Sequence, residues 1–174
     1  MKKQANKKSL ATLVDSKNPK AIEAANYLNQ GNIVAGVNVL KALDKENPSV
    51  ETKLWLASIL DYTEPEEAKN YLQQAIKLEP KNLDALNKYG LLMMRLGEVS
   101  LAIKQFKQIL KLTNDDKANQ GVALGNLGLA YVDLGEVNKA KDYYNKALVI
   151  FKEIKSPNAK IVENNIRDLE NKQD

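Results

Sequence analysis

Between Leu83 and Ile154, apolar residues recur every three or four positions in two stretches with the same internal spacing. The first reads Leu86, Tyr89, Gly90, Met93, Leu96-Gly97-Glu98-Val99, Ala102, Phe106; the second reads Leu124, Leu127, Gly128, Tyr131, Leu134-Gly135-Glu136-Val137, Ala140, Tyr144. That period belongs to one face of a helix. Each copy therefore predicts two helices joined by a short turn. Glycine inside a helix costs about 1 kcal/mol relative to alanine, so Gly90 and Gly128 call for close approach of the paired helix. Gly97 and Gly135 follow the last periodic leucine and suit the left-handed conformation that closes a helix. Glu98 and Glu136 then fall where the next helix's amino end favours negative charge. The second helices carry Ala102, Phe106, Ile109 and Leu110 in one copy and Ala140, Tyr144, Ala147 and Leu148 in the other.

Weaker versions of the same pattern precede these two. Ala24, Tyr27, Gly31, Gly36, Leu40, Leu43 and Pro48 mark a first hairpin, with Gly36 where the later copies have alanine. Trp55, Leu56, Ala57 and Leu60, then Ala68, Leu72, Ala75, Ile76 and Pro80, mark a second. Thr63-Glu64-Pro65-Glu66 reads as a capping box between its helices; it replaces the glycine turn and leaves the face of Trp55 open. The repeat length is 32 from Pro48 to Pro80, 34 from Ala68 to Ala102 and 38 from Gly97 to Gly135. Four extra residues are thus expected near Lys117 to Gln120. After Ser156-Pro157-Asn158, the residues Ile161, Val162, Ile166 and Leu169 read as the apolar stripe of a terminal helix that covers the exposed end of the stack.

The two strong copies match W-x2-L-G-x2-Y followed by A-x3-F, and on that motif the chain resembles the tetratricopeptide repeat (TPR) family. The resemblance implies an all-α, right-handed solenoid of about four hairpins plus a C-terminal cap. The expected layout is a basic tail over 1–16 and a repeat domain over 17–174, with repeats near 17–48, 49–82, 83–116 and 121–154 and the cap near 158–172. The lengthened last repeat, with Leu124-Gly125-Asn126-Leu127-Gly128, is similar to the kinesin light chain and spindle-adaptor type. In such proteins the first helices line a concave groove that takes a peptide or protein segment. Carried over by position, the groove residues are Asn87, Lys88, Leu91 and Arg95 in the third repeat, and Gly125, Asn126, Leu129 and Asp133 in the fourth. Asn126 matches the asparagine that holds the backbone of an extended ligand; the bland alternative is that it is solvated or bonds to its own fold.

A carboxylate clamp for chaperone clients does not fit. Its positions hold Ala21, Ala25, Leu54, Asp84 and Lys88 in repeats one to three, and Lys53, Ala57, Lys88, Val122 and Asn126 in repeats two to four. Neither set would grip a C-terminal carboxylate.

Composition narrows the rest. The chain has no histidine and no cysteine, which removes the commonest general base, the thiolate nucleophile and every zinc site not built from carboxylates. No phosphate-cradling glycine motif is present. Gly125-Asn126-Leu127-Gly128 spells the G-x-x-G clamp of one RNA-binding fold, yet without that fold's strands. The cluster of Gly121, Gly125 and Gly128 reads as close helix packing. Asp115-Asp116 and Glu66-Glu67 stand at helix starts, where they have a structural role. No enzyme, metal or cofactor is expected. Tyr27, Tyr89, Tyr131 and Tyr144 sit at packing positions, so base stacking is not their expected use.

The net charge of +4 comes from Lys2, Lys3, Lys7 and Lys8; without these four, 22 basic residues face 22 acidic ones. A solvated tail is the leading reading of that run, with Leu10, Leu13 and Val14 as a short turn on the first repeat. No stretch approaches the roughly 18 apolar residues of a membrane span, and Gln4 to Lys8 is too polar for a secretion signal. The expectation is a soluble, cytoplasmic, non-enzymatic adaptor for a protein or peptide partner. Its rivals are a self-associating or complex-assembly module and, less favoured, nucleic-acid binding through the tail.

Overall fold

The computed structural model describes Leu13 and residues 17–171. The basic run of Lys2, Lys3, Lys7 and Lys8 and the proposed contacts of Leu10 and Val14 lie outside these residues; Leu13 itself is helical and fully buried. The described residues form nine α-helices and no strand. The fold class is all-α, a succession of helical hairpins as the repeat pattern predicts. The chain divides into two compact units, one ending at Pro80 and one beginning at Lys81.

The first unit holds α1 (Pro19–Asn29), α2 (Ile33–Glu46), α3 (Val50–Leu60) and α4 (Pro65–Leu78). Polar caps start three of them: the side chains of Asn18, Asn32 and Ser49 each accept from a free backbone amide of the first turn, which satisfies donors that the helix itself leaves open. The fourth start differs from the expected capping box. The N-cap of α4 is Glu64, with no side-chain cap bond and Pro65 in the first position. Proline's fixed φ suits that position, and it moves the helix start one residue past Thr63, so the Thr63–Glu66 spacing no longer matches a box. Trp55 is settled as core, buried beside Leu56, Ala57 and Leu60. Gly36 has a steric explanation: a Cβ there would lie 2.6 Å from Leu28 Cγ and 3.1 Å from the Ala24 carbonyl oxygen.

This unit also contains a charged seam that the sequence pattern did not reveal. Lys53 Nζ donates to both carboxylate oxygens of Asp44, at 2.8 and 2.7 Å, and the two side chains are only 5% and 13% exposed. The Lys53 ammonium also sits 6.0 Å from the centre of the Tyr71 ring. Next to them Lys41 donates to Glu67 at 3.0 Å, which holds the Glu67 carboxyl below its ordinary range. Burial, with the nearby Glu67 and Asp44 charges, pushes the Tyr71 hydroxyl up to about 12. Helices α2, α3 and α4 are thereby tied by charge as well as by apolar packing.

The second unit holds α5 (Leu83–Arg95), α6 (Val99–Leu112), α7 (Lys117–Asp133), α8 (Val137–Glu153) and α9 (Asn158–Glu170). Its hairpins close as the repeated glycines predict. Gly97 and Gly135 have φ of +79° and +71°, and the amides of Glu98 and Glu136 reach back to the carbonyls of Met93 and Tyr131 at 2.8 and 2.9 Å. This is the six-residue closure that a left-handed residue permits. After α8 the same closure is made by Lys155, at φ 53°, with Ser156 N–H bonded to the Phe151 carbonyl.

The helix-interior glycines are filled by rings. A Cβ on Gly90 would lie 2.5 Å from Phe106 Cε1, and one on Gly128 would lie 2.5 Å from Tyr144 Cδ1. The four extra residues of the long repeat become helix. α7 and α8 have 17 residues each where α5 and α6 have 13 and 14. The added turns pack on each other, since a Cβ on Gly121 would meet the Phe151 ring at 2.7 Å. Gly125 departs from the packing expectation, with nothing within 4 Å of its Cβ position. In α9, Val162 and Leu169 are buried while Ile161 is 57% exposed; the covering stripe is narrower than the apolar sequence pattern suggests.

Candidate protein-binding surface

Helices α5 and α7 are the first helices of consecutive hairpins and lie against each other in the second unit. Burial assigns one face of each to the core: Ala85, Leu86, Tyr89, Leu92 and Met93 on α5, and Ala123, Leu124, Leu127, Ala130 and Tyr131 on α7. The residues carried over from the repeat register lie outside those buried sets. Asn87, Lys88, Gly125 and Asn126 are half-buried, and Leu91, Arg95, Leu129 and Asp133 are exposed.

Two of these residues are brought together. Asn126 Nδ2 donates to Asn87 Oδ1 at 2.7 Å, linking α7 to α5 across 39 positions of sequence. An amide has two N–H donors and a two-lone-pair carbonyl, so the pair retains the Asn126 carbonyl, one Asn126 N–H and the Asn87 NH2. Those groups are of the kind a peptide backbone requires. The absence of a Cβ at Gly125, one position before Asn126, leaves open space beside the pair. Leu91 and Leu129 are each 41% exposed and add apolar surface one turn further along their helices. Lys88 is turned toward Asp84, one turn back on α5, with Nζ 3.6 Å from the carboxylate.

Ala21, Ala25 and Ala57 are buried, and Lys53 is engaged by Asp44. None of these four presents a free cation or amide to a carboxylate. Among the described residues, no group of three or more acidic side chains is gathered as metal ligands would be. No helix among them is long and apolar enough to cross a membrane.

Comparison with known proteins agrees with the repeat pattern. Two tetratricopeptide repeat family models match, one over residues 54–82 and one over residues 82–153. The human protein O-mannosyl-transferase TMTC3 is 26% identical over 140 residues; the match takes in 75% of this chain but only 15% of that protein. Among solved structures, that of MamA protein is similar at 25% identity with a TM-score of 0.64, over 83% of this chain and 74% of MamA. Pseudomonas aeruginosa PilF aligns at 20% identity with a TM-score of 0.70, over 98% of this chain and 71% of PilF.

Proposed function

Since the chain belongs to the tetratricopeptide repeat family, we propose that it is a non-enzymatic adaptor that holds an extended segment of a protein partner against α5 and α7. The observation that carries the proposal is the Asn126–Asn87 amide pair flanked by exposed Leu91 and Leu129. In this reading the amides meet the ligand backbone and the leucines its apolar side chains. Lys88, Arg95 and Asp133 set charge preference at the ends of the row. The transferase among the relatives does not favour an enzymatic reading, because this chain spans so little of it and contains neither histidine nor cysteine.

Selection of peptides from a random displayed library on the immobilised protein supplies a ligand for the test. Asn126→Ala together with Arg95→Ala is expected to weaken that ligand by about tenfold or more, the loss of one or two charge-assisted or amide hydrogen bonds. The structural cost should be about 1 kcal/mol, because Asn126→Ala also removes the bond to Asn87. Lys141 is unsuitable as a control on the second helix of the repeat, since it reaches Glu170 of α9 at 3.9 Å. Asn145, exposed on α8, serves instead. Full affinity in the double variant with loss in Asn145→Ala would overturn the proposal.

A further inference from the structure

Helix α6 departs from every other helix among the described residues: it contains no aspartate or glutamate. Its three lysines, Lys104, Lys107 and Lys111, are all exposed. At 100° per residue they fall within an arc of about 60° and extend about 10 Å along the helix. The core residues Ala102, Phe106 and Ile109 lie on the opposite side, so the lysine strip points outward.

Helix α8 shows what a balanced lysine-bearing helix looks like in this unit. Lys139 pairs with Glu136, Lys141 with Glu170, Lys146 with Asp142 and Lys152 with Glu163. No carboxylate among the described residues pairs with Lys104, Lys107 or Lys111. Like charges three and four residues apart on one helix repel and weaken it slightly. Lys111, in the last turn, gains from the helix dipole; Lys104 and Lys107 do not. The strip carries no aromatic side chain for stacking on bases and no tryptophan or phenylalanine to enter a bilayer.

We infer that the outward face of α6 is a docking strip for an acidic helical segment of a protein partner, whose carboxylates repeat at i, i+3 and i+7 to match Lys104, Lys107 and Lys111. This surface is separate from the α5–α7 row and does not depend on its having a ligand. A partner helix laid parallel to α6 has the same rise and turn per residue, so carboxylates at this spacing meet the three ammonium groups in turn.

Four probes test it with the full chain at low salt. They are a labelled alanine-based peptide with glutamate at the matching spacing, a peptide of the same composition with its glutamates spread around the helix, phosphatidylserine–phosphatidylcholine vesicles, and a DNA duplex. The matched peptide should bind, and Lys104→Gln/Lys107→Gln/Lys111→Gln should weaken it about tenfold, roughly a factor of two per ion pair. Lys139→Gln/Lys146→Gln should leave it unchanged, and the scattered peptide should bind more weakly. All five positions are exposed, and circular dichroism checks that the variants are folded. Failure of the matched peptide to bind, equal binding of the scattered peptide, or full binding by the triple variant would overturn the inference. So would tighter lysine-dependent binding of the vesicles or the duplex.

Discussion

Replacing Gly128 by leucine is expected to lower the thermal midpoint by about 10 °C. Its Cβ would lie 2.5 and 2.6 Å from two ring atoms of Tyr144, and Tyr144 is among the largest fully buried side chains. The buried ring must shift to admit the leucine. Overpacking of this kind costs about 1–3 kcal/mol, and the upper end applies where a rigid aromatic must shift. At about 2–4 °C per kcal/mol for a chain of this size, the shift is near 10 °C. A double-mutant cycle identifies the cause. Tyr144→Ala alone should cost about 3–5 kcal/mol through the cavity, whereas Gly128→Leu and Tyr144→Ala together should cost less than their sum, since the leucine occupies part of that cavity. Additive losses would mean that the two positions do not press on each other.

The second large effect concerns Lys53. Replacing it by methionine keeps the volume but leaves the Asp44 carboxylate 13% exposed and without its cation. Removing one partner of a buried pair costs about 3–5 kcal/mol. Restoring neutrality with Asp44→Leu in the same chain should recover most of that loss, because well-packed apolar pairs often replace buried ion pairs at little cost. Trp55 is the single tryptophan and is buried two residues further along α3. Its fluorescence in urea therefore reports the first unit. A Lys53→Met midpoint equal to the parent's would show that the pair contributes nothing.

The repeat was legible because the chain writes it twice. Comparing the copies separates glycines that turn the backbone, Gly97 and Gly135, from glycines that admit a ring, Gly90 and Gly128. One copy alone would not have made that distinction. The extra residues before Gly121 were located correctly as an insertion, but a length difference does not say whether it forms a loop or another helical turn. Phe151, thirty residues later, decides that by packing on Gly121. The capping-box reading of Thr63 fails because Pro65 takes the first helical position and makes Glu64, not Thr63, the N-cap. Ile161 misled for a different reason. Adjacent helix positions are about 100° apart, so Ile161 and Val162 cannot share the centre of one stripe. Val162 and Leu169, seven apart, mark the centre, and Ile161 falls at its edge.

For the candidate surface, repeat register assigns positions but not the partners of the side chains there. Repeat register put Asn87, Leu91, Asn126 and Leu129 on the faces left uncovered by the core. A bond of Asn126 to its own fold is one of the two readings the sequence leaves open, and the structure makes it, with Asn87 as partner; the choice of partner depends on how far α7 is displaced along α5. Lys53 was harder still. It stands next to the apolar run Leu54-Trp55-Leu56-Ala57, and its partner Asp44 comes from the preceding helix, a contact that no single-helix period can reveal.

The proposed surface requires α5 and α7 to offer amide groups to a ligand backbone, and the side-chain amide protons of Asn87 and Asn126 report on that directly. In a nitrogen–proton correlation spectrum of the labelled protein, titration with a library-selected peptide should shift both NH2 pairs and slow their exchange with water. The side-chain amides of Asn138 and Asn145, exposed on α8, should stay where they are. Saturating peptide that moves the α8 amides and leaves Asn87 and Asn126 unmoved would contradict the proposed surface.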